Sequence, residues 1–379
     1  FHIGSGSAGD YLFKFLFIWL SIIVAIVSLR RGKWIPNVGA FLRIAVLGVF
    51  TITTLIYGID HGIHGFPVAD LKPTGAIFLA LVPLLLFNYV GFELQNGAAE
   101  EMQDPQKDVP RSVISSGVVG VLMYSIPIFA IIVVLPAAKV TGIGGFIDAV
   151  AETFTVYGGA KSFLLGAMTL CFVGTLLTSG AVWMIGSDRV LAVAAYDGGF
   201  PGFFGVFNRT LGTPVRVNVL SGIVATIFMV VAVAAFNGGQ NSKFVVVLDI
   251  AISTTLISYL WIFPAALKLR YSHGHVHRPY RVPGGNAGMV AAGVMTTFWV
   301  ALGSWVAVFP GTLEKLFGLS YDFKDEWGLS RATFEALTLG TLGVVLLLAL
   351  LGYALSGSVR AQRAELALQS DPPPLPATP

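Results

Sequence analysis

The sequence predicts an all-α polytopic membrane protein with about nine transmembrane helices. Of its 379 residues, 55% are hydrophobic and only 11% are charged, whereas soluble domains carry about 25% charged residues. Several apolar segments are also long enough for a helix of about 20 residues to cross the ~30 Å hydrocarbon core of a bilayer. They cover residues 11–29, 38–57, 75–93, 113–135, 162–186, 217–236, 244–267, 287–309 and 336–355.

The basic residues of the loops predict how these spans are oriented, because cytoplasmic loops carry an excess of Lys and Arg. Most loop Lys and Arg fall on the side of the C-terminus, as Arg30, Arg31 and Arg278 do. We therefore expect a multi-pass protein of the cell (inner) membrane with its C-terminus in the cytoplasm and Phe1 outside. The net charge of +3 is too small to indicate a nucleic-acid partner.

Catalytic and metal-binding patterns are weak in this sequence. The histidines of HGHVH at 273–277 lie in a basic loop without a carboxylate or cysteine, which favours a solvated loop over a metal site. We find neither a phosphate-binding glycine loop nor a nucleophile–base motif, so we expect no enzyme activity, no cofactor and no metal. The segment 356–379 turns polar, ends in DPPPLPATP, and predicts a disordered cytoplasmic tail.

One apolar span is interrupted by polar residues. The stretch FNYVGFE at 87–93 contains Asn88, Gly91 and Glu93. A backbone group freed from a helix within lipid must find a partner in protein or water, and secondary transporters use such broken helices to hold substrate near the midplane. The alternative is that Gly91 lets another helix approach closely and Glu93 marks the cytoplasmic end. The number of polar residues favours a functional break, so we expect Phe87–Gly91 to be distorted and to face a polar cavity.

Two further spans carry polar faces. Their members are Gly174, Thr175, Thr178, Ser179, Gly180 and Trp183 in the first, and Ser253, Thr254, Thr255, Ser258 and Tyr259 in the second. Small residues also serve helix packing, and that interpretation stays open beside a substrate cavity wall.

Three stretches in order resemble one family. They are GFELQNGAAEEMQDPQKDVPRSV from Gly91, DRVLAVAAYDGGFPGFFGVFNRTLGTPVRVN from Asp188, and YLWIFPAALKLR with RPYRVPGG from Tyr259 onward. They resemble the amino acid–polyamine–organocation (APC) superfamily, around its sixth helix, after its eighth and at the end of its tenth. The resemblance covers nearly the whole chain.

The resemblance implies a fold of two inverted five-helix repeats, in which the nine spans correspond to helices 4–12 of twelve. Residues 1–74 would then hold the last two helices of the first repeat and 75–270 the complete second repeat. Residues 271–355 would form two peripheral helices. About three N-terminal helices of the family pattern have no counterpart here, including the glycine-rich one that binds the substrate's carboxylate.

We derive the expected site from this resemblance and the polar faces together. For substrate binding we expect Phe87, Asn88, Tyr89, Val90, Gly91, Trp183 and Ser258. For coupling we expect Glu93, Arg43, Thr175 and Ser179, with Glu93 linking protonation to gating. For a cytoplasmic gate in the loop 98–111 and beyond we expect Glu101, Lys107, Arg111 and Arg189.

Apart from Lys14 at the border of the first span, Arg43 is the only basic residue within a predicted span. A charge near the bilayer centre costs at least about 2.5–3.5 kcal/mol on insertion scales, so it should face protein or water. Arginine does not lose its proton in proteins. We therefore expect a fixed positive charge that replaces a sodium ion of sodium-coupled relatives, hydrogen-bonded near Thr175 and Ser179. The alternative is that the side chain extends to the inner surface beside Arg30 and Arg31.

These expectations describe a secondary active transporter of amino acids or related small amines. It would work by alternating access, with proton coupling or exchange and without sodium. Its partners would be the small-molecule substrate, protons where transport is proton-coupled, and the lipid bilayer. The alternatives are a sodium-coupled symporter and, from another class, a transport-inactive membrane sensor or subunit.

Overall fold

A computed structural model describes residues 6–28, 34–63, 74–94, 99, 102–136, 145–235, 240–278 and 280–370. Within these ranges the chain is helical and forms no strand. The helices are α1 (Ala8–Ser28), α2 (Trp34–His61), α3 (Gly75–Phe87), α4 (Pro105–Val134), α5 (Gly145–Thr153), α6 (Lys161–Tyr196), α7 (Val215–Ala235), α8 (Gln240–Ser272), α9 (Gly285–Val308), α10 (Thr312–Leu316), α11 (Phe323–Trp327), α12 (Arg331–Leu355) and α13 (Gly357–Ser370).

The described residues contain nine helical segments that are long and apolar enough to cross a membrane. Each coincides with one of the predicted spans, so the predicted all-α polytopic membrane fold is confirmed. Many of their large apolar side chains are exposed, including Trp261, Leu170 and Phe41. Such side chains suit contact with lipid, whose chains are as apolar as they are.

The chain divides into two compact units. Unit 1 contains residues 1–37, 177–230 and 342–379. Unit 2 contains residues 38–176 and 231–341. The boundaries cut through long helices, so that α6, for example, contributes its first half to unit 2 and its second half to unit 1.

One part of unit 2 is built around a buried aromatic cluster. Phe50 on α2 is fully buried and lies edge-on to Phe146 of α5, with ring centroids 4.9 Å apart. Tyr57 donates a hydrogen bond from its hydroxyl to Oε1 of Glu152 at 2.9 Å. Val134 at the end of α4 closes the cluster. Apolar packing and a paired polar group thus join α2, α4 and α5.

The other part of unit 2 packs α3 against α8 and α9, and this part positions the candidate site. Gly303 of α9 lies so close to α8 that a Cβ there would stand 3.3 Å from Leu256. Leu256 is fully buried, and Leu86 of α3 packs against the same cluster. A small residue at this point allows the three helices to approach closely.

Unit 1 is joined by buried polar contacts. Asp188 on α6 accepts hydrogen bonds from Asn218 Nδ2 and Ser221 Oγ of α7, both at 2.6 Å. Trp19 of α1 donates from Nε1 to Thr226 Oγ1 of α7 at 3.2 Å. These hydrogen bonds connect α6 to α7 and α1 to α7, and so fix how the three helices align.

The predicted disordered tail is corrected by the structure. Residues 357–370 form α13, while 371–379 lie outside the described residues. The segment GSVRAQRAELALQS is rich in Ala, Arg, Glu, Leu and Gln, which are strong helix formers. Contacts also hold its start: the carbonyl of Gly198 accepts from Ser356 Oγ at 2.6 Å and from Arg360 Nη1 at 2.9 Å. The polar composition therefore indicated a surface helix rather than disorder.

Candidate functional site

The helix α3 is interrupted where the sequence predicts it. It ends at Phe87, Asn88 and Tyr89 form a turn, and residues 92–94 form a single 3₁₀ turn. Gly91 has a φ of 92°, a left-handed value that glycine adopts without steric cost. The expectation of a distorted stretch after Phe87 is therefore confirmed.

The interruption frees a backbone amide, and α8 supplies its partner. The N–H of Gly91 donates to the Tyr259 hydroxyl at 2.7 Å. The same hydroxyl donates to Glu93 Oε2 at 2.5 Å. An O–H···O⁻ bond of this length is typical of a charge-assisted pair. One tyrosine thus joins the broken backbone of α3 to a carboxylate two residues later.

Apolar groups enclose this contact. Tyr259 is only 3% exposed. The Phe92 ring lies 5.7 Å from the Tyr259 ring, and the Phe263 ring lies 6.0 Å from it, measured between centroids. Hydrogen bonds are stronger in a medium of low dielectric constant than in water. The aromatic surroundings therefore strengthen the bond between Tyr259 and Glu93.

The predicted substrate-binding residues of α3 divide into two faces. Phe87 and Val90 are half-buried and pack against the cluster that α8 and α9 form. Asn88 and Tyr89 are exposed, and the Tyr89 ring lies 6.2 Å from the Tyr124 ring of α4, nearly perpendicular to it. The polar residues of the break thus lie on the open side and the apolar ones on the packed side.

On the polar face of α8, Tyr259 is the residue that contacts the interruption of α3. The site predicted from the sequence did not include it. Ser258, which the prediction named, is exposed and donates to the Thr255 carbonyl of its own helix at 2.7 Å. The signal for Tyr259 was present, because it ends the row of hydroxyl-bearing residues on this span. Among the described residues, the Ser258 hydroxyl bonds only to its own helix, and the Tyr259 hydroxyl is the one that reaches α3.

Ser179 and Trp183 belong to unit 1, on the second half of α6. Ser179 is partly buried, while Trp183 is 36% exposed. The interrupted end of α3 belongs to unit 2. The predicted roles of both residues stay predictions.

Arg43 lies on an exposed face of α2. Its neighbour Leu42 points to α6 instead, where a Cβ at Gly174 would stand 3.6 Å from Leu42 Cδ1. Thr175, buried beside that glycine, donates to the Phe172 carbonyl at 2.7 Å. The prediction was a bond from Arg43 to carbonyls or hydroxyls near Thr175 and Ser179, and it stays a prediction.

The cytoplasmic gate stays a prediction, and the structure describes three of the four residues named for it. Lys107 pairs with Asp104 at 2.9 Å, and both side chains are solvent-exposed. The hydrogen bond from Lys107 lowers the pKa of the Asp104 carboxyl below its ordinary value. Arg111 is exposed, whereas Arg189 is buried in unit 1 with its guanidinium 5.5 Å from the Phe207 ring centre. Glu101 lies outside the described residues.

Residues 6–316 match the sequence model of a family described as amino acid permeases. A probable agmatine/putrescine antiporter of Lactococcus lactis is 28% identical over 278 residues, which are 72% of this chain and 58% of that protein. An uncharacterised transporter of Legionella pneumophila is 29% identical over 268 residues, 70% of this chain and 55% of that protein.

A glutamate/γ-aminobutyrate antiporter of Lactococcus lactis is 25% identical over 208 residues, which are 54% of this chain and 41% of that protein. The family and these relatives are transporters rather than enzymes, which confirms that expectation. The chain spans about half the length of the curated relatives it matches.

Proposed function

We propose that this chain, which belongs to the amino acid permease family, carries the substrate-handling core of a secondary transporter for amino acids or related small amines. The transporter exchanges one such molecule for another by alternating access. Two relatives are named as antiporters, one for agmatine and putrescine and one for glutamate and γ-aminobutyrate, which supports exchange of small charged amines and amino acids.

The interrupted end of α3 carries this proposal. Between Phe87 and Gly91 the chain leaves the helix, and its Asn88 and Tyr89 side chains are exposed. Ends of broken helices offer backbone groups and partial charges to a polar substrate at membrane depth. In this proposal the open side of the break receives the substrate, and Phe87 and Val90 hold the break to α8 and α9.

Glu93 is the proposed link between protonation and gating. When ionised, its carboxylate accepts the short hydrogen bond from Tyr259, which in turn holds the Gly91 amide. Protonation removes the negative charge and turns a charge-assisted bond into a weaker neutral one. The broken segment is then held less firmly to α8, which favours a change of conformation.

Sodium is not required in this proposal. Arg43, Thr175 and Ser179 remain the proposed coupling residues, with Arg43 as the fixed positive charge that replaces the cation. We also propose that the protein lies in the cell (inner) membrane with its C-terminus in the cytoplasm, as the basic loops indicate.

An exchange assay tests the proposal. The full-length protein is reconstituted in proteoliposomes loaded with one amino acid or amine, and uptake of radiolabelled compounds is measured against the whole set. We expect uptake only when a counter-substrate is inside, and the same rate with choline in place of sodium. Uptake that requires sodium would overturn the exchange mechanism. So would uptake that needs no counter-substrate and does not respond to a proton gradient.

Glu93→Gln then tests the coupling role. The variant should exchange substrate at a rate that no longer depends on pH, because the neutral amide cannot gain or lose the proton. Ser258→Ala, one residue from Tyr259 but exposed, is the matched control and should keep the wild-type pH profile. An unchanged profile in Glu93→Gln removes Glu93 from coupling while leaving the exchange result intact.

A further inference from the structure

A cavity lies on the same two helices as the interruption but nearer their other ends. Its volume is about 540 Å³, which is in the range of small-molecule sites. The lining comes from α3, α8, the end of α9, α10 and the segment that includes α11. Asp249 precedes Tyr259 by ten residues of α8, which corresponds to about 15 Å along a helix. The cavity is therefore distinct from the break.

Two buried carboxylates line this otherwise apolar cavity. Asp249 is 5% exposed and Glu314 only 1%. Oδ2 of Asp249 and both carboxyl oxygens of Glu314 are buried without a hydrogen-bond partner among the described residues. A buried carboxylate that is neither paired nor hydrogen-bonded is strongly unfavourable. Such oxygens lining a cavity indicate a ligand that donates hydrogen bonds and carries positive charge.

Two basic side chains that the structure describes near the cavity, Arg331 and Lys315, are engaged elsewhere or exposed. Arg331 pairs with Glu335 at 3.4 Å and lies over the Phe323 ring at 4.7 Å from its centre. Lys315, next to Glu314 in sequence, is exposed. In the part of the chain that the structure describes, neither residue neutralises the two carboxylates.

The lining selects an organic cation rather than a metal ion. Calcium takes six to eight oxygen ligands, whereas the described residues contain no group of three or more metal-ligating side chains. Aromatic side chains complete the wall: Trp327 donates from Nε1 to the Tyr321 hydroxyl at 2.6 Å. Carboxylates beside aromatic and aliphatic groups are a typical setting for an alkylammonium group.

We propose that this cavity, lined by Asp249 and Glu314, binds an aliphatic amine, and that a diamine fits it best. Two carboxylates in an apolar wall match two ammonium groups, and the methylene chain between them contacts residues such as Leu248 and Ile252. The site does not depend on the transport mechanism. The ammonium group comes either from a free amine or from the headgroup of an amine-bearing lipid.

Binding of 1,5-diaminopentane, n-pentylamine and n-pentanol to the full-length protein in phosphatidylglycerol nanodiscs tests the proposal. Calorimetry should detect saturable binding of the diamine, weaker binding of the monoamine and none of the alcohol. Asp249→Asn and Glu314→Gln should each weaken diamine binding at least tenfold. Asp197→Asn, which changes an exposed carboxylate outside the cavity, should keep it. No saturable binding, or equal loss in Asp197→Asn, would overturn the proposal.

Thermal unfolding separates a ligand site from a structural one. Without amine, both variants should unfold at or above the wild-type temperature, because each removes an uncompensated buried charge. A marked fall in that temperature would show that the carboxylates have structural partners, and would contradict the proposal.

Nanodiscs that also contain phosphatidylethanolamine identify the source of the ammonium group. Unchanged diamine affinity in them identifies a free amine as the ligand. A loss of affinity through competition identifies the lipid headgroup.

Discussion

The interruption of α3 and the cavity at the other end of α3 and α8 contain carboxylates that the fold treats in opposite ways. Glu93 accepts a short hydrogen bond from Tyr259, which also accepts the Gly91 amide. Asp249 and Glu314 leave oxygens without a partner among the described residues. A carboxylate that the fold satisfies holds the backbone in place. One that the fold leaves unsatisfied is available to a ligand.

Substitution of Asp188 should have the largest effect on stability, because two hydrogen-bond donors depend on its carboxylate. Asp188→Ala leaves Asn218 and Ser221 without their acceptor, and each unsatisfied buried donor costs about 1–3 kcal/mol. We expect a clear loss of unfolding free energy in denaturant titrations. The exposed neighbour Asp197 provides the control, and Asp197→Ala should unfold as the wild type does. If Asp188→Ala is as stable as Asp197→Ala, satisfied carboxylates do not hold this fold.

Tyr259→Phe tests the tether itself. The change removes only the hydroxyl, and leaves both the Gly91 amide and Glu93 without their shared partner. The cost of about 1–3 kcal/mol per group corresponds to a change of about tenfold or more in exchange rate, in the same direction as protonation of Glu93 produces, because both changes weaken the hold on the broken segment. Ser258→Ala should stay within about twofold of the wild type, since its hydroxyl bonds only its own helix. Equal rates in the two variants would remove the tether from the mechanism.

Gly91→Ala probes the backbone rather than the side chains. Gly91 has a φ of 92°, and an L-residue with a Cβ is strained by about 1–2 kcal/mol in the left-handed region. We expect that loss in unfolding free energy. Gly117 lies in α4 with open space around it, so Gly117→Ala should be neutral or stabilising by up to about 1 kcal/mol. A stabilising Gly91→Ala would mean that α3 continues through the break.

The smallest effect is expected at the exposed pair Asp104–Lys107. Exposed ion pairs contribute little, so Lys107→Gln should change the exchange rate by less than about twofold. Because Lys107 lowers the pKa of Asp104, the stabilisation is present above the ordinary pKa of 3.8 and is lost as pH falls through the folded value. Wild type and variant should therefore differ in unfolding near neutral pH and converge in acid. If the difference in unfolding between wild type and Lys107→Gln grows in acid, the Asp104–Lys107 pair is not its source.

The helices and the break were predictable, since both follow from local sequence. Long apolar runs must form helices in lipid, and glycine with asparagine inside such a run indicates an interruption. The partner of the break was not predictable, because Ser258 and Tyr259 lie side by side and only packing decides which one reaches α3. The same limit applies to Arg43: the sequence places a charge on α2, but rotation of the helix determines whether it or Leu42 meets α6.

The buried carboxylates were missed for a different reason. Asp249 stands inside the apolar run VVVLDIAI, which is itself a signal, because charged residues within a span tend to be functional. Glu314 gave no such signal, since it follows the end of a span and reads as part of an exposed loop. Only the folded chain brings it into the same cavity as Asp249.

The central claim is that the open side of the interrupted α3 contacts the transported molecule, and chemical protection of a cysteine there tests it most directly. This sequence has a single cysteine, so Cys171→Ser, together with serine in place of any cysteine elsewhere in the full-length protein, gives a clean background. In that background, Asn88→Cys and a control, Ser272→Cys at the end of α8, are reacted with a small methanethiosulfonate reagent with and without transported substrate. We expect substrate to slow the modification of Asn88→Cys several-fold and to leave Ser272→Cys unchanged. Equal rates at Asn88→Cys with and without saturating substrate would contradict the account.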